Sequence, residues 1–220
     1  MAKPMFDPEA LVQMFEGATA KQGAQLKAAV SQATLTALQG RELTLKNIRG
    51  TLKQVSEAAS LGAAKNVAPG LDAEKLLDSA VAGMDDAMLK AVNANRLALQ
   101  QLATQGADLH DKHLKKAMDD LDKFEDTMFA TLKKTAAGAG APLASAWAPV
   151  LERMQAGGTA SGAQATATVE QLAEQMQSSL RNTRAASIRA AQVMAESYTA
   201  MVSGVLLGMS EAMQGGKPKK

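Results

Sequence analysis

The two histidines of the chain, His110 and His113, lie in a charged segment and are the first candidates for chemistry. Asp108 and Asp111 are close to them, and imidazole and carboxylate groups are ligands that zinc accepts. One helix supplies at most two imidazoles from this spacing, whereas metalloproteases place two histidines four residues apart with an intervening Glu. Segment 108–126 also alternates Asp with Lys at spacings of three and four, as solvated helix faces do. The residues therefore predict a solvated helix face and no metal site.

No other group of residues has a spacing that supports catalysis or cofactor binding. Cysteine is absent, which excludes disulfides, thiol nucleophiles and Cys–zinc sites. No glycine-rich phosphate loop occurs, and the aromatic residues, 3% of the chain, offer little from which to shape a pocket. We therefore expect a non-enzymatic protein that holds no cofactor.

Charge and hydropathy limit the partners. The formal net charge of +2 gives no general attraction to nucleic acid, and the predicted basic tail, residues 215–220, adds only a weak, salt-sensitive one. The longest uncharged apolar stretch near the C-terminus is residues 197–210, and a membrane span needs about 20 residues. Residues 1–15 do not resemble a secretory signal. We expect no transmembrane span, no specific nucleic-acid partner and a cytoplasmic location.

Composition predicts an all-α fold. The apolar content is mostly Ala, Leu, Val and 13 Met. Ala, Leu and Met, like the abundant Gln, Glu and Lys, are strong helix formers because they lose little rotamer freedom in a helix. No Asn-Gly or Asp-Gly turn separates alternating hydrophobic runs, so nothing indicates a β-hairpin.

The first predicted helix covers residues 8–66 and follows an N-terminal arm, residues 1–7. Asp7 has the position of an N-cap before a proline at the first helical position. Apolar or small residues recur at steps of three and four and define one face. The residues of this face are Leu11, Phe15, Ala18, Leu26, Val30, Ala33, Ala37, Leu45, Ile48, Leu52, Val55 and Ala59. Four glycines permit two interpretations, close approach between helices, which we favour, or breaks into shorter segments. They are Gly17, Gly23, Gly40 and Gly50.

A second helix is predicted over residues 72–136, and it completes a long helical hairpin, residues 8–136. The Pro-Gly pair at 69–70 predicts the turn between the two helices, and Asp72 predicts the N-cap. Residues 137–163 predict a connector rich in Gly, Ala and Pro, with a short helix at about 142–155. A third long helix is predicted over 164–214. The predicted hinge residues lie in the turn and the connector and are Pro69, Gly70, Gly157, Gly158 and Gly162.

These elements predict an architecture, because each apolar face must be buried by a neighbour. We expect an elongated antiparallel bundle of three long amphipathic helices plus one short helix, with coiled-coil-like packing. Whether one chain completes the bundle or a second chain contributes is left open by the sequence.

The C-terminal helix has the most unusual surface. Between residues 190 and 213 its charged residues are Glu196 and Glu211, and the apolar residues cover more than one face. This helix is either the centre of the bundle or of an oligomer interface, or it contacts lipid or another apolar surface when the bundle opens. Methionine suits the second interpretation because its flexible thioether adapts to irregular apolar surfaces. The predicted contact residues are Met194, Tyr198, Met201, Val202, Val205, Leu206, Met209 and Met213.

With these features the chain resembles the phasins, the amphipathic proteins that coat bacterial polyhydroxyalkanoate granules. The resemblance lies in helices rich in Ala, Gln and Met, the absence of cysteine, the start MFDPEAL at residues 5–11 and the Lys-rich tail. The Gly/Ala-rich segment 135–169 and the shortness of the tail depart from the phasin pattern. The resemblance implies a granule-surface protein that self-associates in solution. Its helices would open on a hydrophobic polymer or lipid surface and leave their charged groups toward water.

Two alternatives predict different partners. A structural or adaptor coiled-coil protein would act through helix–helix contacts with other proteins and would not bind apolar particles. A membrane-active helical protein would use residues 197–210 as an insertion element and would make liposomes leak.

Overall fold

The computed structural model is all-α over the residues that it describes, which are 7–19, 21–38, 44–67, 72–104, 110–175, 177, 178 and 181. This confirms the predicted fold class for those residues, none of which lies in a strand. The helices are α1 (Pro8–Glu16), α2 (Gly23–Leu38), α3 (Leu45–Lys65), α4 (Ala73–Thr104), α5 (His110–Asp122), α6 (Phe124–Gly138) and α7 (Ala141–Gly157). A further helix begins at residue 160 and is described through residue 175, and its part over residues 160–172 is called α8. In this described part, no helix combines the length and the apolar character that a membrane crossing requires.

The chain divides into two compact units. The first is Met1–Leu172 and contains α1 to α8. The second is Ala173–Lys220, in which the described residues 173–175, 177, 178 and 181 are helical. The contacts that follow belong to the first unit.

The predicted helix over residues 8–66 is divided into α1, α2 and α3, as in the alternative of breaks into shorter segments. Asp7 acts as the predicted N-cap of α1, and its carboxylate accepts two backbone N–H bonds from the first turn, at 3.0 and 3.3 Å. Gly17 caps the other end of α1. The Gln22 side chain then accepts hydrogen bonds from the backbone N–H of Thr19 at 2.8 Å and from its hydroxyl at 3.0 Å. These bonds stabilise a turn that interrupts the helix.

Of the four glycines that the sequence analysis selected, the described ones do not take the favoured role of close approach. Gly17 and Gly23 border the turn between α1 and α2, so they mark a break. Gly50 lies in the middle of α3, where a Cβ atom would meet nothing within 4 Å. Gly40 lies outside the described residues. α3 begins separately at Thr44, whose hydroxyl accepts the backbone N–H three residues later at 3.3 Å.

The predicted helix over 72–136 is also divided, into α4, α5 and α6. Asp72 caps α4, since its carboxylate accepts the backbone N–H of Glu74 at 3.0 Å. At Lys123 the backbone leaves the helical region, with φ −91° and ψ 6°, and α6 begins at the fully buried Phe124. The prediction of three long helices plus one short helix is therefore wrong in number. α7 occupies the place of the predicted short helix.

Shorter helices allow each segment to pack on a different neighbour. α1 packs on α3, α2 on α4, α3 on α6, and α7 on both α4 and α6. Two glycines that the sequence analysis did not select allow close approach. A Cβ at Gly83 of α4 would lie 2.5 Å from the Lys27 carbonyl oxygen and 2.7 Å from Val30 Cβ, both on α2. A Cβ at Gly62 of α3 would lie 2.5 Å from the Val12 carbonyl oxygen on α1.

Apolar side chains from α1 to α8 form the core of the first unit. The largest fully buried ones are Trp147, Phe15, Phe124, Ile48, Leu52, Leu77, Met84, Met88, Met128, Leu132, Leu172 and Val30. The finer expectation of an elongated antiparallel bundle with coiled-coil-like packing stays a prediction.

Candidate functional site

The predicted apolar contact surface lies outside the described residues, and so do Pro69 and Gly70 of the predicted hinge. Its residues are Met194, Tyr198, Met201, Val202, Val205, Leu206, Met209 and Met213. His110 and His113 lie in the first turn of α5, where the backbone alone is described. Among residues whose side chains are described, no group of three or more His, Cys, Asp or Glu is placed to hold a metal ion.

Of the remaining hinge residues, Gly157 ends α7, Gly158 lies in the turn that joins α7 to α8, and Gly162 lies in the first turn of α8. Gly158 has φ +66° and ψ −168°, a conformation essentially confined to glycine. Glu125 of α6 accepts hydrogen bonds from the backbone N–H of Thr159 at 2.7 Å and from its hydroxyl at 3.0 Å. A Cβ at Gly162 would overlap the same carboxylate. The glycines thus shape a turn that is tied to α6, and their role as a hinge stays a prediction.

A second carboxylate fixes the start of α8. Asp85 of α4 accepts hydrogen bonds from the backbone N–H of Ala160 at 3.1 Å and of Ser161 at 2.9 Å, and from the Ser161 hydroxyl at 2.5 Å. Backbone N–H groups at a helix N-terminus lack partners within the helix, and the helix dipole favours negative charge there. Asp85 and Glu125 therefore form a clamp, the α8 clamp, that connects α8 to α4 and α6.

Charged groups also link α2 to α4. The Asp86 carboxylate accepts hydrogen bonds from Lys90 at 2.7 Å and from the Ser31 hydroxyl of α2 at 2.6 Å. These two hydrogen bonds, together with the positive charges of Lys90 and Lys27, hold the pKa of Asp86 below its ordinary value. The carboxylate therefore stays ionised and holds α2 against α4.

Two further polar links join other helix pairs. Arg153 of α7 donates hydrogen bonds to Glu74 at 2.7 Å and Asp78 at 3.1 Å, both on α4. These bonds raise the pKa of Arg153. After α3, the Asn66 amide donates to two backbone carbonyls in and after α1, at 2.7 and 3.0 Å. α7 is thus connected to α4, and α1 to α3.

By contrast, α3 and α6 meet through neutral hydroxyl groups, along what we call the α3–α6 seam (Ser56, Ser60, Thr131 and Thr135). The hydroxyls of Ser56 and Thr135 lie 2.9 Å apart, and both residues are buried. At the edge toward α7, the indole N–H of Trp147 donates to the Ser60 hydroxyl at 3.1 Å. No ion pair joins α3 to α6 in the part of the chain that is described.

The hydroxyls of the α3–α6 seam also have partners within their own helices. Thr131 and Thr135 donate to the carbonyls four residues earlier in α6, at 2.6 and 3.3 Å. The Lys53 carbonyl of α3 lies 3.1 Å from the Ser56 hydroxyl. Each hydroxyl has one hydrogen, so one of Ser56 and Thr135 donates across the seam and the other donates within its own helix. When the helices are apart, each seam hydroxyl still has an acceptor in its own helix.

A groove of about 900 Å³ lies beside the seam, between α3, α6 and the start of α7. We call it the α3–α6 groove. Its lining residues are Arg49, Lys53, Glu57, Ser60, Leu61, Ala64, Ala130, Thr131, Lys134, Thr135, Gly138, Ala139 and Leu143. The lining combines cationic side chains with small and apolar ones, and Leu61 is 52% exposed. The groove can therefore offer both apolar contact and positive charge to a ligand.

Sequence reasoning did not select the α3–α6 seam or the α3–α6 groove. A signal for the seam exists, since Thr127, Thr131 and Thr135 recur every four residues on α6, as Ser56 and Ser60 do on α3. This spacing places hydroxyls on one helix face, but it does not say which helix that face meets. The groove has no local signal because its lining comes from three helices.

Comparison with known proteins places the chain in a family. No curated protein and no solved structure matches it. Residues 1–215 match the family described as "Family of unknown function (DUF6781)". Because this match covers nearly the whole length, the chain belongs to the DUF6781 family.

Proposed function

We propose that the protein is a non-enzymatic coat for hydrophobic surfaces, phasin-like, and that polyhydroxyalkanoate granules are its surface. In solution its amphipathic helices pack together as a bundle and self-associate. At the surface α3 and α6 separate along the α3–α6 seam, and their apolar faces contact the polymer.

The observation that carries the proposal is the neutral character of the α3–α6 seam. Hydrogen bonds that involve a charged group contribute about 1.5–3 kcal/mol each, and those between neutral groups about 0.5–1.5 kcal/mol. Charged groups link α2 to α4, and α8 to both α4 and α6. Ser56 and Thr135 link α3 to α6 by hydroxyls alone. Separation of α3 from α6 therefore breaks the weakest polar connection among these pairs.

Separation along the seam also leaves few polar groups without a partner. A buried donor or acceptor that loses its partner costs about 1–3 kcal/mol. Thr131, Thr135 and Ser56 have carbonyl acceptors within their own helices, so this cost does not arise for them. The exception is the indole N–H of Trp147, which loses the Ser60 hydroxyl if α3 moves away from α7. A polymer surface otherwise needs to replace the apolar contacts.

Those apolar contacts suit exchange with a surface. Leu52 lies four residues before Ser56, and Leu132 lies three before Thr135, so these side chains share the hydroxyl face of their helices. Both are fully buried. Burial of such a side chain contributes about 1.5–3 kcal/mol. An apolar polymer can supply the same burial, so opening on the surface costs much less than opening in water.

Co-sedimentation with polyhydroxybutyrate particles and with neutral liposomes tests the proposal, using a form in which the seam cannot open. The variant Ser56→Cys/Thr135→Cys places two thiols where hydroxyls lie 2.9 Å apart, a spacing compatible with a disulfide. The chain has no cysteine of its own, so no other intramolecular disulfide can form. We expect the reduced variant to bind particles like the wild type and the oxidised variant to lose most of its binding.

A second disulfide serves as the matched control. The variant Gly23→Cys/Ser79→Cys joins α2 to α4, where a Cβ at Gly23 would lie 3.4 Å from the Ser79 hydroxyl oxygen. This pair of helices stays together in the proposed opening, so oxidation should leave particle binding unchanged. Equal binding by both oxidised variants would exclude opening along the α3–α6 seam.

Truncation tests the predicted C-terminal contact separately. A chain that ends at Ala190 lacks Met194, Tyr198 and the rest of the predicted contact residues, and we expect it to bind the polymer more weakly. If the full-length wild type binds neither particle and forms one defined oligomer, the coat proposal fails and an adaptor function replaces it.

A further inference from the structure

The α3–α6 groove has a charge pattern that the coat proposal does not use. Three cationic residues line it, Arg49 and Lys53 from α3 and Lys134 from α6, and Glu57 is the one carboxylate among its lining residues. Lys53 and Glu57 are 3.8 Å apart, and both side chains are more than half exposed. An exposed pair of this kind contributes about 0–1 kcal/mol. The groove therefore has an excess of positive charge that this pair does not remove.

The rest of the lining is apolar or small. Leu61, at 52% exposure, is one of the few large apolar side chains of the described chain that are exposed to this degree. With it, Ala64, Ala139 and Leu143 line the groove. A ligand that covered these side chains would remove apolar surface from water at about 25 cal/mol per Å².

We propose that the α3–α6 groove binds a single-chain anionic amphiphile, a fatty carboxylate. The carboxylate pairs with Lys53, Lys134 and Arg49, and the hydrocarbon chain covers Leu61 and its apolar neighbours. This binding goes beyond the proposed coat function, since it concerns one dissolved ligand molecule and no particle.

The size of the groove favours this ligand over a protein partner. Sites for small molecules have volumes of about 300–1,000 Å³, and the groove has about 900 Å³. Stable protein interfaces use about 20–30 residues on each side, whereas 13 residues line the groove. An uncharged lipid would use the apolar lining and make no ion pair with the three cationic residues.

The chain contains its own reporter for the groove. Trp147 is its single tryptophan, it is fully buried, and its indole N–H donates to the hydroxyl of Ser60, a lining residue. A ligand that displaces water from Ser60 changes the surroundings of this indole. Tryptophan emission therefore reports occupation of the groove.

The test is a titration of the full-length protein with dodecanoate below its micelle concentration, followed by Trp147 emission and by calorimetry. We expect saturable binding, and weaker binding of octanoate because it buries fewer CH₂ groups. Lys53→Gln/Lys134→Gln should weaken dodecanoate binding about tenfold. Each of the two lost ion pairs accounts for about a threefold loss of affinity, and the two losses multiply.

A matched variant separates the groove from general charge attraction. Lys46→Gln/Lys133→Gln removes the same charge from the same two helices, and both lysines are exposed and absent from the lining. This control should bind dodecanoate as the wild type does. Equal weakening in both double variants, or equally tight binding of dodecanol, would overturn the proposal. The proposal would also be overturned if dodecanoate caused no saturable change in Trp147 emission and released or absorbed no heat on binding. Because no particle is present, none of these results depends on whether the protein coats granules.

Discussion

Gly83→Ala tests the close approach of α2 to α4. The added methyl group would lie 2.5 Å from the carbonyl oxygen of Lys27, 2.7 Å from Cβ of Val30 and 3.0 Å from its Cγ1. The carbonyl belongs to the backbone of α2, so no rotation of a side chain relieves the overlap. α2 must move away from α4, and this movement loosens the packing of the buried residues between them.

The expected loss of stability is the difference between two opposing effects. Overpacking of a well-packed interface costs about 1–3 kcal/mol, and contact with backbone places this site near the upper value. Replacement of a helical glycine by alanine favours the helix by about 1 kcal/mol. The net expectation for Gly83→Ala is destabilisation by about 2 kcal/mol, which lowers the Tm of a unit of this size by about 4–8 °C.

Urea unfolding, followed by circular dichroism at 222 nm and by Trp147 emission, measures this difference. Gly50→Ala is the matched control, because Gly50 is exposed in the middle of α3 and a Cβ there would meet nothing within 4 Å. The control should be more stable than the wild type by about 1 kcal/mol. If Gly83→Ala equals or exceeds the wild type in stability, α2 does not approach α4 at this glycine and the reasoning is refuted.

Three more substitutions test other parts of the first unit. Gly158→Ala should cost about 1–3 kcal/mol in urea unfolding because alanine does not tolerate that conformation, whereas Gly157→Ala, with open space around its Cβ, should be neutral or stabilising. Ser60→Ala should cost about 1–3 kcal/mol, since it leaves the buried indole N–H of Trp147 without its acceptor; an unchanged unfolding midpoint would contradict that hydrogen bond. Asp86→Asn should destabilise the protein at neutral pH. Because the folded pKa of Asp86 is lowered, its contribution is present above the unfolded pKa of about 3.9 and is lost as the pH falls through the folded pKa. The difference between variant and wild type should close under acidic conditions, and a difference that grows there would contradict the assignment.

Sequence periodicity predicted which residues are buried better than it predicted where helices end. Leu11, Phe15, Val30, Leu52 and Val55 all belong to the predicted face of residues 8–66, and all are buried. Burial of a helix face depends on spacing within a few turns, which the sequence contains directly. The breaks between the helices did not change that spacing within each segment. The buried face was therefore predicted correctly although the number of helices was not.

The positions of the breaks could not be read from residue type alone. Gly17 caps a helix, Gly50 lies exposed within one, and Gly83 lies against a neighbouring backbone. The intrinsic preference of glycine is the same at all three positions. What differs is the neighbouring segment, and a local pattern does not contain that information.

The hydrogen bonds between helices are even harder to predict from the local sequence than the helix breaks. Ser56 and Thr135 are 79 positions apart in the chain, and Glu125 and Thr159 are 34 apart. The short polar segment around Gly158 has the composition of a flexible linker. In the folded chain, carboxylates from two other helices bind it, so its order is a property of the tertiary structure.

The distribution of polar contacts in the first unit supports the proposed opening along the α3–α6 seam. A bundle that must open on a surface needs an interface that holds in water and releases without unpaired buried charge, since breaking a buried ion pair is strongly destabilising. Ser56 and Thr135 meet this requirement because each hydroxyl is uncharged and has an acceptor within its own helix. The links made by Asp85, Asp86 and Glu125 do not meet it, because separation would leave their carboxyl groups without hydrogen-bond partners at an apolar surface. On this reasoning the proposed opening keeps the helices around α4 together and separates α3 from α6.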